Sequence, residues 1–90
     1  MIEEETPIPI EDSFDLHSFL PRDVADAVSD YLDEAIKRGW REVRIIHGKG
    51  KGVRRAEMRR LLAKDPRVLE FFDAPPGRGG FGATVVLLRG

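Results

Sequence analysis

Residues 24–46 read VADAVSDYLDEAIKRGWREVRII, and this stretch decides the fold. Val24, Ala27, Val28, Tyr31, Leu32, Ala35 and Ile36 recur at steps of three and four, which makes one continuous apolar stripe along a helix. Asp23, Asp26, Asp30, Asp33 and Glu34 fall on its other faces. Lys37 and Arg38 suit the negative C-terminal end of such a helix, and Gly39 suits its left-handed stop. Val43, Ile45 and Ile46 then mark a strand over residues 42–46. Upstream, residues 13–17 alternate, with Phe14 and Leu16 on one side and Asp15 and His17 on the other, which is a second strand. Pro21 sits where a first helical turn tolerates proline. Strand, helix and strand form a βαβ unit, so the two strands run parallel through a right-handed crossover.

Working outward, residues 47–52 (His47-Gly48-Lys49-Gly50-Lys51-Gly52) lead into a helix over residues 53–63. Met58, Leu61 and Leu62 give it an apolar face, and Arg54, Arg55, Arg59, Arg60 and Lys64 make the rest basic. Asp65-Pro66 ends it. Residues 68–72 and 83–89 are two further strands, joined antiparallel across a Gly- and Pro-rich turn at 74–82. The order is βαβαββ. The expected fold class is α/β in the broad sense, an α+β two-layer sandwich with a four-stranded mixed sheet and two helices on one face. Residues 1–12 read as an acidic, Pro-containing N-terminal arm, and residues 13–90 as the domain.

Composition excludes several function classes. The 90 residues contain no cysteine, so there is no disulfide framework, thiolate nucleophile or Cys-bound zinc. No apolar run approaches the ~20 residues of a membrane span, and the acidic start is unlike a secretory signal. The expected setting is cytoplasmic. The formal net charge of −1 conceals a strong polarity. Residues 1–35 carry eleven acidic side chains and one arginine, net −10; residues 36–64 carry eleven basic and two acidic, net +9; the remainder balances. A basic face is the usual footprint of a polyanion partner.

If the third strand is parallel to the first two, three loops converge where the parallel strands end: Asp15-Leu16-His17, residues 47–52 and residues 79–84. Ligands of open α/β sheets bind beyond carboxyl ends of strands. Glycines in residues 47–52 let backbone amides approach an anion, and Lys49 and Lys51 add whole charges. The spacing is neither a P-loop nor GxGxxG. Asp15 beside His17 can orient an imidazole for acid–base work. Asp15, His17 and His47 supply three metal ligands at most. Arg78 sits at the tip of the last turn, within reach of a phosphate. Trp40 reads as a packing residue, while Phe81 is open between packing and base stacking.

Phe14-Asp15-Leu16-His17, His47-Gly48-Lys49-Gly50 and Gly79-Gly80-Phe81-Gly82-Ala83-Thr84, in this order and with a helix between the first two, resemble the Smr (small MutS-related) domain family. The resemblance spans residues 13–89. It implies a fold like the C-terminal domain of bacterial translation initiation factor 3, and an endonuclease that nicks DNA or cleaves RNA. No ATPase accompanies the motifs, so a stand-alone version is expected. The family's functional positions map onto Asp15, His17, His47, Gly48, Lys49, Gly50, Gly80 and Gly82. Two positions depart from the pattern: Ser18 stands where Gly is common, and Arg54 where an apolar residue is common.

The leading expectation is a nucleic-acid-binding domain with endonuclease activity. Asp15, His17 and His47 would do the chemistry, and Lys49, Lys51, Arg54, Arg55 and the glycine-loop amides would hold phosphates. A divalent cation, Mg or Mn, is the one cofactor left open, with no ligand set assigned. The rival readings are a nucleic-acid-binding module without cleavage and a protein–protein adaptor. The expected state is a monomer with at most weak self-association.

Overall fold

The stripe on residues 24–36 becomes helix α1, Val24–Lys37, and buries Val24, Val28, Tyr31, Leu32 and Ala35 against a sheet. A single 3-10 turn, Pro21–Asp23, leads into it. Gly39 closes it at φ +78°, while the amides of Gly39 and Trp40 return to the carbonyls of Ile36 and Ala35. The structure, a computed structural model, describes residues 12–48 and 52–89. Residues 1–11 of the arm at 1–12 lie outside the described residues.

The other elements are β1 (Ser13–Asp15), β2 (Glu42–Ile46), α2 (Val53–Lys64), β3 (Val68–Asp73) and β4 (Ala83–Leu88). The βαβαββ order and the four-stranded mixed sheet are as the sequence predicts. The sheet order is β1-β2-β4-β3. β1 pairs parallel with β2, and β4 pairs antiparallel with both β2 and β3. β3 therefore runs in the same direction as β1 and β2. The carboxyl ends of three strands and the start of β4 share one rim.

Both helices cover one face. Leu32 and Ala35 from α1 and Met58 and Leu62 from α2 join Val43, Ile45, Val86 and Leu88 of the sheet in one buried cluster. Phe14 of β1 stacks on Tyr31 of α1, centroids 4.6 Å apart. Trp40 packs against the same core with the Arg38 guanidinium over its ring. The helix-free face carries a smaller cluster of Ala74, Ala83 and Val85, with Ile46 and Leu87 against it.

Two departures from the sequence reading have local causes. β1 stops at Asp15 rather than His17. The Asp15 carboxylate accepts a hydrogen bond from the His17 amide at 2.9 Å, and such a side-chain turn competes with the ladder. The turn at 74–82 is longer-built than a plain hairpin. It contains two 3-10 turns, Pro76–Arg78 and Gly80–Gly82. The Arg78 carbonyl at its tip accepts a bond from the Arg44 side chain of β2.

Part of the acidic charge on α1 is answered internally. Arg67, in the turn after α2, donates to Asp65, to Asp33 and to the Ser29 carbonyl. This ties α1 to the entry of β3.

Candidate functional site

The rim is stitched together by backbone bonds. The Leu16 amide donates to the Ile46 carbonyl at 2.8 Å, and the amides of His47 and Gly48 both donate to the Gly82 carbonyl at 2.9 Å. The three sequence motifs thus meet as expected. Lys49, Gly50 and Lys51 lie outside the described residues.

Asp15 and His17 form the exposed pair of the rim. One carboxylate oxygen of Asp15 receives both the His17 amide and its ring Nδ1, the latter at 2.8 Å. The two side chains are 49% and 78% exposed. These bonds, the amide first and the ring second, hold the Asp15 carboxyl below its usual range. A carboxylate can only accept, so it selects the imidazole form with the proton on Nδ1. Nε2 carries no bond to Asp15 and keeps its lone pair when the ring is uncharged.

His47 is built differently. It is only 6% exposed. Its Nδ1 donates to the Gly48 carbonyl at 3.1 Å, which leaves Nε2 to accept from the Thr84 hydroxyl at 2.9 Å. Burial is the main cause that pushes its pKa down; the Gly48 bond opposes this, and the nearby Arg55 charge reinforces it. Asp15 pairs in register with Ile46, so strand alternation puts Asp15 and His47 on opposite faces of the rim. The two imidazoles share the rim, and each has its own set of partners. His47 and Thr84 form a buried latch between the ends of β2 and β4.

The arginines of α2 do not form one uniform face. Arg54 donates to the carbonyls of Leu16 and Phe19 at 3.1 and 2.9 Å. Arg55 grips both oxygens of Asp73, at 3.0 and 2.7 Å, and Arg59 adds a bond to the same carboxylate at 2.9 Å. Arg78 reaches Glu42 at 3.3 Å. Gly80 adopts φ +54°. Gly52 caps α2 at φ +82° with no side-chain hydrogen bond and no acidic residue in the first turn.

The sequence reading does not single out Asp73, Arg59 or Thr84 as site residues. Asp73 stands at the carboxyl end of β3, on the same rim, and that position is the signal the sequence offers for it. Arg55, with Arg59 second, holds its pKa at about 2 against 3.8 in an unfolded chain. A depressed carboxylate contributes stability that is complete above its unfolded value and lost as pH falls toward the folded one. Urea midpoints should therefore fall between about pH 4 and pH 2, a slope to which the lowered Asp15 and Asp65 add with the same sign. Asp73→Asn should make that slope shallower. An unchanged slope would mean that the arginine fork contributes nothing to folding.

Among the described residues, no group of three or more His, Cys, Asp or Glu side chains is placed to hold a metal ion. No described helix is long and apolar enough to cross a membrane.

A family model for the Smr domain matches residues 14–89. The chain belongs to the Smr domain family. Its fold matches the crystal structure of the Smr domain of Thermus thermophilus MutS2 with a TM-score of 0.82 and 42% identity, covering 87% of this chain and 98% of that one. YdaL, a stand-alone small MutS-related protein from Escherichia coli, aligns with a TM-score of 0.82 and 30% identity over 88% of this chain and 65% of that one. In sequence, this Smr domain is 50% identical over 62 residues to the endonuclease MutS2 of Thermus thermophilus. That alignment covers 69% of this chain and 8% of the MutS2 protein. The chain thus corresponds to a small part of such relatives.

Proposed function

We propose that this Smr domain binds nucleic acid at the rim and cleaves a phosphodiester bond, with His17 as the group that moves the proton. The observation that carries this reading is the Asp15–His17 pair: an exposed imidazole whose Nδ1 is held by a carboxylate and whose Nε2 faces outward. In its uncharged form Nε2 takes the proton of the attacking oxygen, a water or a ribose hydroxyl, as that oxygen bonds to phosphorus; the P–O bond to the leaving oxygen breaks, and solvent protonates that oxygen. Asp15 holds the ring at the correct angle and stabilises the imidazolium that forms. The first turn of α2, whose N-cap Gly52 has no side chain to cap it, offers backbone amides and a positive helix end to a phosphate, and Lys49 and Lys51 supply charge on the sequence reading. Relationship to endonuclease MutS2 supports the assignment.

Asp15 is engaged by His17, and a divalent cation held by this one carboxylate together with substrate phosphates would compete for that bond. The test is an assay on supercoiled plasmid and on single-stranded RNA, with and without EDTA, for the wild type and an Asp15→Ala/His17→Ala double variant. Wild-type cleavage lost in the double variant supports the proposal. Equal product from both proteins would refute it.

A second reading, a module that binds without cutting, is favoured by the burial of His47. Its imidazole is latched to Thr84 and Gly48 and is not presented as a second proton donor. On that reading binding still weakens steeply with salt, by about one unit of log–log slope per phosphate contact, but no product forms.

A further inference from the structure

We propose that Arg54 is a positioning residue that clamps the turn carrying His17, rather than a phosphate contact; the catalytic half of this inference rests on the function proposed above. The turn runs Leu16-His17-Ser18-Phe19 and is closed by the Phe19 amide on the Leu16 carbonyl at 3.0 Å. The Arg54 guanidinium bridges its two ends, with one nitrogen on the Leu16 carbonyl and another on the Phe19 carbonyl. His17 and Ser18 are the two central residues, so the fork fixes the span of the turn that aims the imidazole.

Both ends of the clamp are themselves anchored. Leu16 is fully buried and bonded to β2 through its amide. The Phe19 ring lies 5.5 Å from that of Phe14. Arg54 is the second residue of α2, directly after the Gly/Lys loop. Only a guanidinium satisfies two carbonyls with a planar fork; an ammonium keeps the charge but is a point donor.

The test is Arg54→Lys, with Arg54→Gln as a second variant that removes the charge and keeps one donor group. Hydrogen exchange at the His17 and Phe19 amides, measured by NMR without nucleic acid, should be about tenfold faster in both variants, the factor that one charge-assisted hydrogen bond is worth. Oligonucleotide affinity and its salt slope should be unchanged in Arg54→Lys, while kcat falls about tenfold. Unchanged exchange at these amides in a folded variant would overturn the clamp. A salt slope reduced by about one unit in Arg54→Gln, with exchange unaffected, would make Arg54 a phosphate contact instead. If the wild type cleaves nothing, the proposed function fails, and the exchange measurement still decides the clamp.

Discussion

His17→Ala should lower cleavage about 10²–10⁴-fold, the range general acid–base groups supply, and leave oligonucleotide affinity within about twofold, since only a transition-state interaction is removed. The expectation follows from the exposure of the ring and the single orientation imposed by Asp15. Asp15→Asn should fall between the two proteins in rate. Its amide oxygen can still accept a bond, but the charge that stabilises the imidazolium is gone. Because Asp15 is held below its usual carboxylate range in the wild type, it stays ionised throughout the neutral region and adds no limb of its own to the pH–rate profile there. Cleavage by His17→Ala at the wild-type rate would remove this residue from the chemistry.

The largest stability effect is expected at Gly79. This residue adopts φ +116°, and a Cβ built on it would lie 2.8 Å from the Ala83 Cβ. Ala83 is fully buried at the start of β4, so the contact cannot be relieved by a side-chain swing. Gly79→Val therefore combines backbone strain of roughly 1–3 kcal/mol with overpacking of roughly 1–3 kcal/mol. Against a total domain stability of about 5–15 kcal/mol, that is a large fraction. The melting temperature should drop by about 4–8 °C for each kcal/mol lost in a domain of this size. Gly77 is the internal control, with nothing within 4 Å of a built Cβ. Equal melting of Gly79→Val and Gly77→Val would show that the turn relaxes freely.

Much of the architecture was readable because periodicity reports directly on burial. The stripe from Val24 to Ile36 has one meaning, and the βαβ order leaves one handedness. The convergence of the three motifs at one rim followed from strand direction alone. What escaped the reading concerns where side chains aim. Arg54, Arg55 and Arg59 look alike in a basic helix whose only fully buried residues are Met58 and Leu62. Such a pattern says little about which arginine faces the sheet. Arg54 turned toward Leu16 and Phe19, and Arg55 and Arg59 toward Asp73, because those acceptors come from distant parts of the chain. His47 was grouped with His17 by position along the rim. Its separate set of partners follows from strand alternation and from Thr84, which lies 37 residues away.

The strand order has a consequence for how the molecule is made. β4 is the fourth strand to leave the ribosome, yet it lies between β2 and β3. Until residues 83–88 emerge, β2 and β3 have no shared neighbour, and the nascent chain exposes two unpaired edges while half of the sheet waits for its centre. Sheet closure is thereby confined to the end of translation of this domain, and a ribosome stalled before β4 would hold a chain with exposed strands open to wrong pairing.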